Sequence, residues 1–234
     1  MVLLYEQHKT ILLQILKDVY TTPSVGSRLG FKGGTAAMLI YGLDRYSVDL
    51  DFDLLEEDHA EEVFDAVVAI ASTYGTIKES RIKRYSLLCV LSHAPGAPQI
   101  KIEINRREFG SRFEIQVHLG ISMLVMVKED MFAHKLMAMY ERIGKTSRDI
   151  YDVYYFFKQG WPINRAIVEA RAGVSYKEAL ERSIEKLEAL DTRHILDGLG
   201  ELLDDAKKDW ARAKLKEDTL FFLRVALSAE CSGQ

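Results

Sequence analysis

The chain is short of cysteine, of long apolar runs and of any one sign of charge, and each shortage removes a class of protein. Its 234 residues contain two cysteines, Cys89 and Cys231. Cys89 sits in an apolar run and Cys231 close to the C-terminal end, so a buried thiol and a tail thiol are expected rather than a disulfide or a metal pair. No Cys/His spacing of a zinc site occurs. No run approaches the ~18 consecutive apolar residues of a membrane helix, and MVLLYEQHKT carries charges where a signal peptide needs its apolar centre. A cytoplasmic protein with no membrane partner is expected. The formal charge is -4, and residues 161–234 hold 12 basic and 14 acidic groups, so there is no basic tail. A nucleic-acid partner is neither required nor excluded, because a local patch matters more than the sum. Two phosphate-binding patterns are also missing, G-x-x-x-x-G-K-[ST] and G-x-G-x-x-G.

What is there is a folded chain, 48% apolar and 28% charged, long enough for one large domain or two small ones. Apolar residues spaced by three and four predict a helix over residues 3–20. TTPSVGS reads as a loop, LGFKGG as a short strand ending in a tight turn, and TAAMLIYGL as a helix that Thr35 can cap. Residues 48–54 alternate strictly: Val48, Leu50, Phe52 and Leu54 face one way, Asp49, Asp51 and Asp53 the other. A helix over about 58–73 follows, then strand patterns in 76–93, 99–108 and 112–127. From Lys128 the pattern is helical. An α/β part at 1–127 and a helical part at 128–234 are expected.

Three carboxylates on one face of a short strand need a reason. A charged edge strand that resists aggregation is one. A calcium loop is not, because Leu54 and Ala60 stand where its Gly and Glu belong. The remaining reading is phosphoryl chemistry. Crowded aspartates repel unless a cation relieves them, and hard oxygen donors suit Mg²⁺ or Mn²⁺. Two such ions ~3.5–4 Å apart can clamp the attacking and leaving oxygens of an in-line displacement. Glu103, facing outward in a strand whose Ile100, Ile102 and Ile104 face the core, can supply a third carboxylate or be a solvated strand residue. The turn Gly33-Gly34-Thr35 brings N–H groups and a hydroxyl to a helix start, which suits nucleotide phosphates.

At this point the residues resemble a family. Gly33-Gly34-Thr35, 13 residues, then Asp49-Leu50-Asp51-Phe52 is similar to the signature of the DNA-polymerase-β-like nucleotidyltransferase superfamily. YGLDRYSVDLDFDL, EDMFAHKLMAMYER and SRDIYDVYYFF resemble the AbiEii/AbiGii toxin group within it. The resemblance implies an α+β fold, with a polymerase-β-like core on a mixed sheet and a C-terminal helical domain contributing to the active-site cleft. It implies a nucleotidyltransferase (EC 2.7.7 type) using an NTP and Mg²⁺ (or Mn²⁺), acting as the toxin of a toxin–antitoxin pair in abortive infection and phage defence. An RNA acceptor, the 3′ end of tRNA, and a cognate antitoxin follow as expected partners. Nucleotidylation of a protein or small molecule, and a non-catalytic nucleotide-binding module, stay open as alternatives. Carried over by position, Asp49 and Asp51 are the metal and catalytic carboxylates, and Glu103 is expected beside them as a third from its own strand pattern. Thr35 is carried over as a phosphate-binding residue, and Gly33, Gly34, Arg45 and Ser47 are expected beside it in nucleotide binding. Lys135, Asp149 and Asp152 are further catalytic residues, Lys135 also touching phosphates.

The bland readings stand beside these. Lys135 can be a surface lysine flanking the stripe Phe132–Leu136–Met139. Asp152 can form an i,i+4 pair with Arg148. Arg45 can be an exposed loop residue. Lys78, Arg81, Lys83, Arg84, Lys101, Arg106, Arg107 and Arg112 can form a basic surface for RNA or be solvated strand charges. Tyr151, Tyr154, Tyr155, Phe156 and Phe157 read as helix packing rather than base stacking.

Overall fold

A computed structural model describes residues 2–232. It divides into two compact units, Met1–Glu108 with Arg112–Val127, and Phe109–Ser111 with Lys128–Gln234. Residues 1, 233 and 234 of the two expected parts lie outside the described residues.

The first unit is built on one seven-stranded mixed sheet. Its strands are β1 (Leu29–Lys32), β2 (Leu50–Leu54), β3 (Thr76–Ile82), β4 (Ser86–Ser92), β5 (Ile100–Asn105), β6 (Phe113–His118) and β7 (Ile121–Met126), in the order β3-β4-β5-β2-β1-β7-β6. The β1–β7 and β2–β5 pairs are parallel and the others antiparallel. The helices of this unit are α1 (Val2–Thr21), α2 (Pro23–Gly26), α3 (Gly33–Tyr41) and α4 (Ala60–Ser72). Helix α1 turns Leu12, Ile15, Leu16 and Val19 inward at helical spacing, and α4 does the same with Val63, Phe64, Val67 and Ala71. One sheet face answers with Phe31, Phe52, Ile102, Ile104 and Val125, all buried. Alternation on β2 and β5 therefore leaves their polar residues on the opposite face. Tyr20 donates its hydroxyl to the Leu29 carbonyl at 3.0 Å and lies 3.1 Å from that of Leu124, tying α1 to β1 and β7.

Two local expectations need correction. The stretch TTPSVGS is not all loop: Pro23 opens the single helical turn α2, its fixed φ suiting a first helical position. Thr35 does not cap α3. The helix begins at Gly33 after Lys32, so Thr35 falls within the first turn, buried and bonded elsewhere.

The second unit carries α5 (Lys128–Arg142), α6 (Arg148–Lys158), α7 (Arg165–Ala172), α8 (Tyr176–Glu188), α9 (Asp205–Trp210) and α10 (Lys216–Ser232). Its core includes Phe132, Leu136, Ile150, Val153, Phe156, Leu180, Leu187, Leu215 and Leu223. Ser175 caps α8 by accepting from Glu178 N–H, and Asn164 caps α7 while donating to the buried Asp130 at 2.7 Å. A π-helical segment, Ala211–Leu215, joins α9 to α10. The aromatic run of α6 packs inward: Phe156 stacks on Trp161 at 4.1 Å, Phe157 on Phe222 at 5.7 Å, and Tyr154 lies 4.5 Å from Trp210. No helix among the described residues is long and apolar enough to cross a membrane.

Candidate active site

The acidic face is assembled by strand register. Antiparallel pairing of β1 with β2 sets Lys32 opposite Asp51 and Gly30 opposite Asp53. Parallel pairing of β2 with β5 sets Glu103 beside Asp51 and Asn105 beside Asp53. Cross-strand partners project to the same side of a sheet. Asp51 thus stands between a lysine and a glutamate that are distant in sequence. Asp49 lies immediately before β2, where the chain arrives from the loop after α3.

The glycine turn is fitted to this face. Gly33 has φ +79°, and a Cβ there would lie 2.3 Å from Asp51 Oδ2. Both the backbone angle and the contact require glycine. A Cβ on Gly34 would lie 2.8 Å from Ser47 Oγ and 2.9 Å from Arg45 Nη2. Arg45 is buried, with Nη1 donating to the Tyr46 carbonyl at 2.8 Å, so it is no exposed loop residue. Thr35 is fully buried; its hydroxyl stands 3.0 Å from Ser47 Oγ and donates to the Asp49 carbonyl. Gly33, Gly34, Thr35, Arg45, Ser47, Asp49, Asp51 and Glu103 therefore form one continuous neighbourhood, in which the threonine fixes the aspartate segment to the turn.

Four further residues support this face: Lys32, Asn105 and His8, to which the sequence assigned no role, and Lys101, read there only as a basic-surface or solvated strand residue. Lys32 pairs with Asp53, whose Oδ1 also accepts from Asn105 Nδ2 at 2.7 Å. Asp53 is thereby tied into the sheet. Lys101 forms an ion pair with Glu103. Burial works against both charges, but the mutual hydrogen bond and attraction prevail, holding Glu103 below and Lys101 above their ordinary ranges. Asp51 and Asp49 add to the pull on Lys101. His8, buried on α1, donates Nε2–H to the Val48 carbonyl at 2.9 Å and steadies the residue preceding Asp49. Burial depresses its pKa, partly offset by the Val48 bond. Lys32 and Lys101 carried one usable signal, namely that each falls on the polar side of an alternating strand.

The donor chemistry suits Mg²⁺ or Mn²⁺. Among the described residues no group of three or more His, Cys, Asp or Glu side chains forms a ready metal cage. Mg²⁺ does not need one, since it commonly takes one or two carboxylates and completes its shell with water and substrate phosphate. Asp49 and Asp51 would be the carboxylates to hold such an ion, and Glu103 is ion-paired with Lys101.

Lys135, Asp149 and Asp152 meet in the helical unit. Lys135 Nζ is 2.7 Å from Asp152 Oδ2 and 3.1 Å from Asp149 Oδ1, with both aspartates buried. Arg142 Nη2 approaches Asp149 Oδ2 to 3.0 Å, yet off the hydrogen-bond direction, so that oxygen is ion-paired without a hydrogen bond. Lys135 is thus more than a surface lysine. The basic strand residues are partly spoken for: Arg106 pairs with Glu57, Arg81 with Glu79 at 3.1 Å, and Lys101 with Glu103.

Residues 14–218 match the family of the nucleotidyl transferase AbiEii toxin, of type IV toxin–antitoxin systems. The chain belongs to that family. It is a nucleotidyltransferase of the toxin kind, and the family assignment implies an NTP substrate and a cognate antitoxin. No curated protein matches it. Two solved structures from Helicobacter pylori share the fold over nearly the whole length. JHP933 is 18% identical, with 98% of this chain and 95% of that one covered and a TM-score of 0.60. A candidate nucleotidyltransferase is also 18% identical, with 97% and 96% covered and a TM-score of 0.62. The AbiEii match and the mixed sheet followed by helices agree with the fold class expected from the sequence.

Proposed function

We propose that this AbiEii-family nucleotidyltransferase moves a nucleoside monophosphate from an NTP to the 3′-hydroxyl of an RNA, with tRNA as the acceptor. The reading rests most on one observation: the left-handed Gly33 turn lies against the Asp51 carboxylate with no room for a Cβ. That close approach supports a turn whose N–H groups would bind phosphate beside a carboxylate that would bind the metal. Gly33 and Gly34 hold the β and γ phosphates through backbone N–H groups, with Arg45 and Ser47 beside them. Thr35, whose hydroxyl serves the Asp49 carbonyl, keeps the two halves of the site in register.

Asp49 and Asp51 would hold Mg²⁺ or Mn²⁺, which would supply charge neutralisation on the phosphates and ease loss of the acceptor proton. Glu103, beside Asp51 on the neighbouring strand, takes that proton. The acceptor oxygen bonds to the α-phosphorus, the bond to the bridging oxygen breaks, and pyrophosphate leaves. Glu103 becomes available as base or third ligand once Lys101 turns away to meet incoming phosphate. In the helical unit we assign Lys135 a further functional role, its ammonium held by Asp149 and Asp152. The setting we assign is the cytoplasm, with the activity restrained by an antitoxin and released in phage defence.

The test is incubation with each α-labelled NTP, Mg²⁺ and total tRNA, using periodate-oxidised tRNA as control. Label in intact tRNA and none in the oxidised sample is the expected result. Label in a protein or small-molecule product would replace the acceptor, and label nowhere would refute the RNA reading.

A further inference from the structure

The two edges of the sheet are treated in opposite ways. Edge strand β3 carries Lys78, Glu79 and Arg81 and has a register shift between Ile77 and Glu79. Charges and bulges of this kind blunt an edge against pairing. Edge strand β6, reading FEIQVH, has no lysine, no proline and an unbroken register with β7. Its side chains Ile115 and Val117 are 71% and 67% exposed, and Leu119 in the following turn is 75% exposed. Leu119 also adopts φ +50° ahead of Gly120 at +78°. Asn or Gly fills such a hairpin position at lower cost. An apolar residue is kept there, in water, at the expense of backbone strain.

The backbone of β6 is open as well. Val127 N–H donates to the Arg112 carbonyl at 3.1 Å. By antiparallel alternation, residues 112, 114, 116 and 118 then direct their N–H and C=O groups to β7. Phe113, Ile115 and Val117 direct theirs outward, on the side where the sheet has no further strand.

The strand is complementary to itself. Reversed about Gln116, it sets Ile115 opposite Val117, Glu114 opposite His118 and Phe113 opposite Leu119. In this register the outward-pointing odd residues face one another, as hydrogen-bonded antiparallel pairs must. Each β-branched residue meets another, and each Glu114 meets an imidazole. Glu114 accepts a bond from Gln116 at 2.8 Å within the strand and keeps lone pairs for that contact.

We propose that two copies of this chain pair through β6, antiparallel about Gln116, joining their sheets edge to edge in a two-fold dimer. A second copy is the occupant because the strand's own sequence sets a carboxylate against an imidazole and apolar groups against one another at one register.

Sedimentation and light scattering test this with the full chain and three variants: Glu114→Lys, His118→Glu, and the two combined. The single changes set like charges or Lys–His opposite one another, and the combined variant restores opposite charges. The wild type should sediment at twice its 26.7 kDa mass at concentrations of tens of micromolar. Each single variant should weaken the dimer by about tenfold, with unchanged circular dichroism, and the combined variant should recover it. A wild-type monomer at about 100 µM, a dimer indifferent to both single changes, or a combined variant that stays monomeric would each overturn the proposal.

Discussion

Replacing Gly33 by alanine tests the fit between turn and carboxylate at a single atom. The added Cβ would sit 2.3 Å from Asp51 Oδ2 and 2.8 Å from Asp51 Cβ. Ordinary contact begins at 3.4 Å, so the carboxylate must retreat by about 1.1 Å, the difference between 3.4 and 2.3 Å. Asp51 cannot retreat freely, because its own Cβ is fixed by β2 between β1 and β5. Misplacing a catalytic group by ~1 Å costs about 10²-fold in rate. The left-handed φ adds about 1–2 kcal/mol of strain for a residue with a Cβ. In a chain of this length that lowers Tm by about 2–8 °C. Pyrophosphate release with total RNA as acceptor, read beside calorimetry, should show both losses. Gly34→Ala should cost less stability, since its neighbours Arg45 Nη2 and Ser47 Oγ are side-chain ends that can shift. Full activity and an unchanged Tm in Gly33→Ala would refute the reasoning.

Lys135→Met leaves Asp152 and Asp149 buried without their shared cation, and should cost about 3–5 kcal/mol in denaturant unfolding. Adding Asp149→Asn and Asp152→Asn should recover much of that, and an unaffected midpoint in the single variant would contradict the buried-cluster account. Thr35→Val removes the bond to the Asp49 carbonyl and should cost about 1–3 kcal/mol, whereas Thr35→Ser should keep most of the stability. Because burial depresses the His8 pKa, stability is fully present above its unfolded value of about 6.5 and is lost as pH falls through the lower folded value. His8→Gln should flatten that acid slope; an identical slope would place its origin elsewhere.

The aspartate strand was legible because its signal is local. Leu50, Phe52 and Leu54 against Asp51 and Asp53 is a period of two that a half-buried strand shows; the apolar set is buried and Asp51 is half-buried, but Asp53 is buried too, in its pair with Lys32. The same period holds for Ile100, Ile102 and Ile104 against Glu103. Lys32 and Lys101 were not legible as partners of those carboxylates. Their positions depend on which strands are neighbours and in what register, and pairing across long sequence separations leaves no periodic trace. Thr35 was misread for a related reason. The residue type fits a helix cap, but the left-handed turn at Gly33 starts the helix earlier, and the hydroxyl then finds the Asp49 carbonyl just before β2. In the helical unit, the spacing of Asp149 and Asp152 placed both on one face, while their shared cation, Lys135, comes from another helix. The π-helical segment at Ala211–Leu215 left no sign in the charge-rich stretch around it.

The central claim is that the aspartate face performs the transfer. The most direct measurement is pyrophosphate release from NTP by Asp51→Ala and Asp49→Ala beside the wild type, with Mg²⁺, total tRNA and a melting curve for each. The account predicts release abolished in Asp51→Ala and strongly reduced in Asp49→Ala, with a cooperative melting transition retained in each. Wild-type release in a folded Asp51→Ala protein would contradict it.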